Sequence, residues 1–213
     1  MDTLKYLQNK YNLDLSAPSP IEIPNVGRLD FVRWIRELDL TTGAEVGVEK
    51  ALFSHLLSSN NPQLLLYGVD PYLFHKEYRE YSSQDELDGI FEEAKVRMKS
   101  ALRKKQYIFI RKPSMEAVKS FEDNSLDFVY LDGNHEAPHV QQDIEEWAKK
   151  VRPGGVVAGH DYVRVKNLNF DVKDALRVYT ENNGIKTWFV LGSYAKKRGE
   201  IRDRSRSWMF IKP

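Results

Sequence analysis

No cysteine occurs anywhere in the 213 residues, which excludes disulfides, a thiolate nucleophile and a cysteine-held zinc site. An excess of one charge is also lacking. Against 32 Lys and Arg stand 31 Asp and Glu, so there is no net field of the kind that gathers nucleic acid or an acidic membrane, although local basic patches stay open. No apolar run approaches the roughly 18 residues that cross a bilayer. The opening stretch, residues 1–15, is too polar for a signal peptide. Internal repeats and low-complexity tracts are absent. The expectation is a cytoplasmic protein without a membrane partner, of a length that suits one main domain with a small N-terminal appendage.

What is present is organised around residues 125–162. Leu126 to Leu131 is rich in aromatic and β-branched residues, and Asp132-Gly133-Asn134 stops it abruptly. From Val140 the period changes: Val140, Ile144, Trp147, Ala148 and Val151 recur at three- and four-residue steps, with acids early and Lys149, Lys150 and Arg152 late, which suits a helix dipole. Pro153-Gly154-Gly155 predicts a turn into a second apolar strand, Val156 to Ala158, ended by Gly159-His160-Asp161. Strand, helix and strand of these lengths make a right-handed crossover, with both strand ends on one rim of a parallel sheet. Asp132 and Asp161 are therefore expected on that rim, accompanied by His135 and His160. Open α/β sheets bind their ligands there.

The remaining pattern extends the same architecture. A short helix is expected at residues 2–10, a loop from Leu13 to Pro24, and a helix from Gly27 to Leu38 with Leu29, Val32, Trp34, Ile35 and Leu38 on roughly one face. Thr42 to Val48, Leu64 to Val69, Gln106 to Ile110, Ile185 to Leu191 and Trp208 to Ile211 read as further strands, giving seven with the two above. The last two lie close enough to form a hairpin, so one strand runs antiparallel. Between them the charged stretch 196–206 reads as a mobile surface loop. Helices are expected at Ala51 to Leu57, Asp85 to Lys104, Pro113 to Phe121 and Asp171 to Glu181.

Gly43 and Gly47 bracket Glu45 at the first strand end, and Asp70-Pro71 closes the second. Glycine lets backbone approach a ligand closely, and a carboxylate after the second strand can accept from ribose hydroxyls; ordinary turn chemistry explains the same residues. Tyr72, Phe74, His75, Tyr78 and Tyr81 follow, either as a lid or acceptor wall or as a flap packed on the sheet edge. Ser114 sits past a strand end, where it either touches a base or caps a helix.

These residues carry a family resemblance. Glu45-Val46-Gly47-Val48, Asp70 and the stretch from Leu131-Asp132-Gly133-Asn134-His135 to Gly159-His160-Asp161-Tyr162 resemble the class I S-adenosylmethionine-dependent methyltransferases. Within them the likeness is to sugar O-methyltransferases of the macrocin type and, more distantly, to catechol-type O-methyltransferases. It implies a Rossmann-like, doubly wound, seven-stranded α/β sheet with an antiparallel last strand over 27–213, with 1–26 as an extension. It implies S-adenosylmethionine held by Glu45, Gly47, Asp70 and Ser114, although Glu49-Lys50-Ala51 stands where a further glycine is common. Asp132, His160 and Asp161 match the positions that hold Mg²⁺ in metal-dependent members, His160 standing where many relatives have a carboxylate; two carboxylates and an imidazole also suit Mn²⁺. His135 matches the base position, and imidazole titrates near neutrality. Its alternative is a helix-start residue bonding backbone, and His139 one turn on reads as a surface residue or one that supports the site from behind, with a direct catalytic part as the lesser alternative. The acceptor implied is a hydroxyl of a small molecule or sugar, with a homo-oligomer left open.

Two other classes remain. A nucleic-acid or protein methyltransferase would share the fold, yet the Asn/Asp-Pro-Pro-aromatic run of amino-methylating enzymes is missing where Leu131 to His135 stands. A noncatalytic protein retaining the fold would bind no donor.

Overall fold

The computed structural model describes residues 2–75, 81–165, 170–195 and 198–213. Tyr78 of the aromatic stretch, with Lys196 and Lys197 of the charged loop, lies outside the described residues. In chain order the elements are α1 (Thr3–Tyr11), β1 (Ile21–Ile23), α2 (Arg28–Glu37), β2 (Thr42–Val46), α3 (Leu52–Asn60), β3 (Leu65–Val69), α4 (Gln84–Arg103) and β4 (Tyr107–Ile110). There follow α5 (Ser114–Ala117), β5 (Leu126–Leu131), α6 (Ala137–Lys150), β6 (Val151–Gly159), β7 (Arg164–Val165), β8 (Phe170–Asp171), α7 (Val172–Asn182), β9 (Trp188–Leu191) and β10 (Trp208–Ile211).

Local chemistry sets the helix starts. Asp2, Ser83 and Asp171 each accept a backbone N–H from the first turn of α1, α4 and α7, and Asp30 of α2 accepts from the Gly27 N–H at 2.9 Å. The main sheet has the order β1-β9-β10-β6-β5-β2-β3-β4. Strands β2 to β6 run parallel, and β10 lies antiparallel between β6 and β9. Strand order reverses between β2 and β5, which opens a crevice at their C-terminal ends.

The sheet has eight strands rather than seven. Ile21–Ile23, inside the stretch read as loop, pairs parallel with β9. Three residues between Pro20 and Pro24 are too few to show a period. The residues before α2 therefore contribute to the main sheet, and the Thr3 hydroxyl donates to the Gly154 carbonyl at 2.8 Å. The turn expected at Pro153-Gly154-Gly155 lies instead within β6, as an irregularity in its pairing with β5.

Apolar side chains form one cluster on each face of the sheet. Trp34 is buried in the first, its indole N–H donating to Tyr11 at 2.9 Å. Leu29, expected on the same face of α2, is 57% exposed while Phe31 and Leu38 are buried, because at 100° per residue it falls on the side of the helix opposite those two.

Candidate active site

The rim is built first by backbone. Gly47, at φ +89°, turns the chain out of β2 between its two neighbours. Its N–H donates to Val69 of β3 at 2.9 Å, while the Asp132 N–H donates to Val46 at 2.7 Å. A Cβ at position 47 would overlap the Asp132 carbonyl, so only glycine fits.

Asp70 braces this turn. One carboxylate oxygen accepts the N–H groups of Val48 and Glu49, both at 3.0 Å, and the other accepts that of Tyr72 at 2.9 Å. A carboxylate has about four acceptor sites, so capacity for a ligand hydroxyl remains. Tyr72 itself is buried, at φ +44°, and its hydroxyl donates to the Glu49 carbonyl at 2.8 Å. Of the aromatic stretch after β3, Tyr72, Phe74, His75 and Tyr81 therefore line the cavity described below while Tyr72 also packs on Phe91.

Glu45 is buried beneath the turn, where Ser54 of α3 donates to its carboxyl and Tyr107 lies 2.9 Å from the Ser54 hydroxyl. Burial pushes the Glu45 carboxyl up to about 8, against the opposing hydrogen bond from Ser54. Ser114, the first residue of α5, donates to the buried Asp143 and accepts the Trp147 indole N–H at 2.8 Å. Burial raises Asp143 to about 6.

At the ends of β5 and β6, Asp132, His135 and Asp161 gather with ligand atoms all within 4.8 Å of one another. His135 Nε2 lies 3.5 Å from Asp132 Oδ1 and 3.3 Å from Asp161 Oδ2. His160 Nδ1 approaches the same two acids, at 3.7 Å and 3.3 Å. Asp161 adopts φ +50°. Burial would raise its carboxyl, but hydrogen bonds from His160 and Ser205, with the charge of the nearby imidazoles, hold it down at about 2.

A cavity of about 930 Å³ joins these parts: Gly47, Asp70, Ser114, Asp132, His135 and His139 all line it, with Phe53, Phe74 and Tyr81 as an aromatic wall. His160 and Asp161 are not among its lining residues.

Three contributors escaped the sequence reading. Arg28 lines the cavity, its guanidinium 3.6 Å from Asp132 Oδ2 and over the face of Phe53. Its only signal was a cation directly after Gly27 at a helix start. Asp143 carried a clearer one, since three residues after Val140 and four before Trp147 place an acid on the buried face of α6. The third is the charged loop, whose described part is fastened down rather than loose. Asp203 accepts the Arg28 N–H at 2.7 Å, Arg206 pairs with Glu22 at 2.6 Å, and Ser205 reaches Asp161.

The sequence model of a family described as a methyltransferase domain matches residues 40–162. A curated relative from Sinorhizobium fredii, the uncharacterized protein y4gI, is 38% identical over 63 residues, which are 30% of this chain and 7% of that protein's length. Among solved structures, one described as a caffeoyl-CoA O-methyltransferase from Staphylococcus aureus aligns with a TM-score of 0.60 at 14% identity, covering 99% of this chain and 90% of that one. The O-methyltransferase TomG from Streptomyces achromogenes, in complex with S-adenosylmethionine, aligns at 0.58 and 13% identity over 100% and 91%. One described as an rRNA methylase from Clostridium thermocellum aligns at 0.59 and 10% over 86% and 96%. Likeness at such identities concerns the fold, which serves acceptors of different kinds.

Proposed function

This chain belongs to the methyltransferase-domain family, and on that premise we propose that it transfers a methyl group from S-adenosylmethionine to a hydroxyl of a small molecule or sugar, aided by a divalent cation. The observation that carries the donor reading is that Gly47, Asp70, Ser114 and Asp132 line one cavity. Asp70 receives the ribose hydroxyls, and the backbone at Gly47 approaches the methionine end. Glu45 supports that turn from beneath through Ser54. Ser114, held by Asp143 and Trp147, stands at the adenine end.

The donor set suits a cation: Asp132, Asp161 and the His135 imidazole have ligand atoms within 4.8 Å of one another, and His160 Nδ1 approaches the same two acids at 3.7 Å and 3.3 Å, oxygens and imidazole that suit Mn²⁺ or Mg²⁺. When bound, S-adenosylmethionine supplies an electrophilic sulfonium methyl, and the cation supplies charge that lowers the pKa of an oxygen beside it. The protein's task is then alignment and proton removal. Asp132 and Asp161 provide the carboxylate oxygens. Two imidazoles flank them, and one side chain cannot both ligate and take the proton at the same nitrogen. We assign His160 to the cation and His135 to the acceptor's proton, at Nδ1, since Nε2 faces the two acids.

Manganese titration separates these roles. His160→Ala should weaken Mn²⁺ binding, while His135→Ala should retain it and lose turnover. Loss of Mn²⁺ binding in H135A alone would exchange the assignments. Activity on an accepted hydroxyl compound that survives exhaustive chelation would remove the cation from the account.

A further inference from the structure

His160, Asp161 and Tyr162, which follow β6, are each held by a residue at the start of β10 or just before it. The Trp208 indole N–H donates to the His160 carbonyl at 3.1 Å. The Tyr162 N–H donates to the Arg206 carbonyl at 2.8 Å, and the Ser205 hydroxyl hydrogen-bonds the Asp161 carboxylate. This short stretch needs such support. Asp161 adopts φ +50°, a left-handed backbone that persists only where its surroundings determine it.

The kind of group that reaches Asp161 is as telling as the contact. Ser205 stands between Arg204 and Arg206, and a guanidinium against Asp161 would offset the negative charge that attracts a cation. Among the described residues, the ion partners of Asp161 are instead the imidazoles of His135 and His160, both at 3.3 Å. Arg204 is exposed. Arg206 is buried but faces elsewhere: it donates to Glu22 at 2.6 Å and to the Gly192 carbonyl at 3.0 Å, and its guanidinium lies over the Tyr162 ring at 5.6 Å. A neutral hydroxyl is left to fix the carboxylate's orientation while its full charge stays in place. Outer partners of ligating carboxylates in metal sites do the same.

We propose that Ser205 is a positioning residue for the cation, holding the Asp161 carboxylate turned toward Asp132 and His135 without itself touching the ion or the acceptor. This rests on the cation reading above and adds to it a residue from the connection between β9 and β10. The ion's affinity then depends on a side chain outside both strand ends that carry the acids.

Manganese titration tests this, with the ion alone as probe. Ser205→Ala should weaken Mn²⁺ binding by about 10- to 100-fold, the usual cost of removing such a partner, while the thermal midpoint of the metal-free protein stays at the wild-type value. Ser205→Thr keeps the hydroxyl and should recover most of the affinity. Unchanged Mn²⁺ affinity in S205A, or an equal loss in S205T, would overturn the assignment. So would a loss matched by a lower metal-free midpoint, which would make Ser205 a packing residue. If the wild type binds no Mn²⁺, the cation reading falls, and the role of Ser205 with it.

Discussion

Gly47 and Asp132 come into backbone contact: no Cβ can be placed on the first without overlapping the carbonyl oxygen of the second. The turn that ends β2 and the acid that ends β5 are thereby locked together, which puts the proposed donor loop against the proposed catalytic acids. Gly47→Ala combines a left-handed backbone with this overlap and should destabilise the fold by at least about 2 kcal/mol. Gly133→Ala, where an added Cβ meets nothing nearer than 3.7 Å, should change thermal stability little. Similar melting midpoints for the two variants would contradict the contact.

A second prediction concerns pH. The Glu45 carboxyl is raised from 4.5 to about 8 by burial, so the folded state holds a proton that the unfolded state has released. Stability from this group is fully present below pH 4.5 and is lost as pH rises through 8, at about 1.4 kcal/mol per pH unit between them. Denaturant titrations should show Glu45→Gln gaining on the wild type across that window. A constant difference between the two from pH 5 to 8 would show that Glu45 is ionised in the folded protein.

The third prediction separates two histidines on the same cavity. Replacing His135 with Ala should lower turnover by roughly 10²–10⁴-fold, the usual contribution of positioned proton transfer, while donor affinity stays unchanged. His139→Ala should cost much less. Near-normal turnover of H135A, under conditions where methyl transfer limits the rate, would place the base elsewhere.

Much of this arrangement was legible because its signals are local. The strand ending at Asp132, the helix with Trp147 inside it and the strand ending before Asp161 each have their own period or stop, and a right-handed crossover then brings both acids to one rim. What escaped depends on partners distant in sequence. Ile21–Ile23 becomes a strand only because β9 lies beside it. Asp203, Ser205 and Arg206 look like solvated polar side chains until α2, Asp161 and Glu22 are found facing them. Arg28 was passed over because the stripe of apolar residues in α2 reports where the core lies and is silent about the polar edge of its first turn.

Equilibrium binding of S-adenosylmethionine, measured by calorimetry on the wild type and on Asp70→Ala, tests the central claim most directly. Asp70 holds three backbone N–H groups around the turn and, on this account, the ribose as well. The wild type should bind one donor per chain. The variant should bind more weakly by about 1.5–3 kcal/mol for each charged hydrogen bond lost to the ribose. Equal affinity in the two proteins, or no binding to the wild type, would contradict the account.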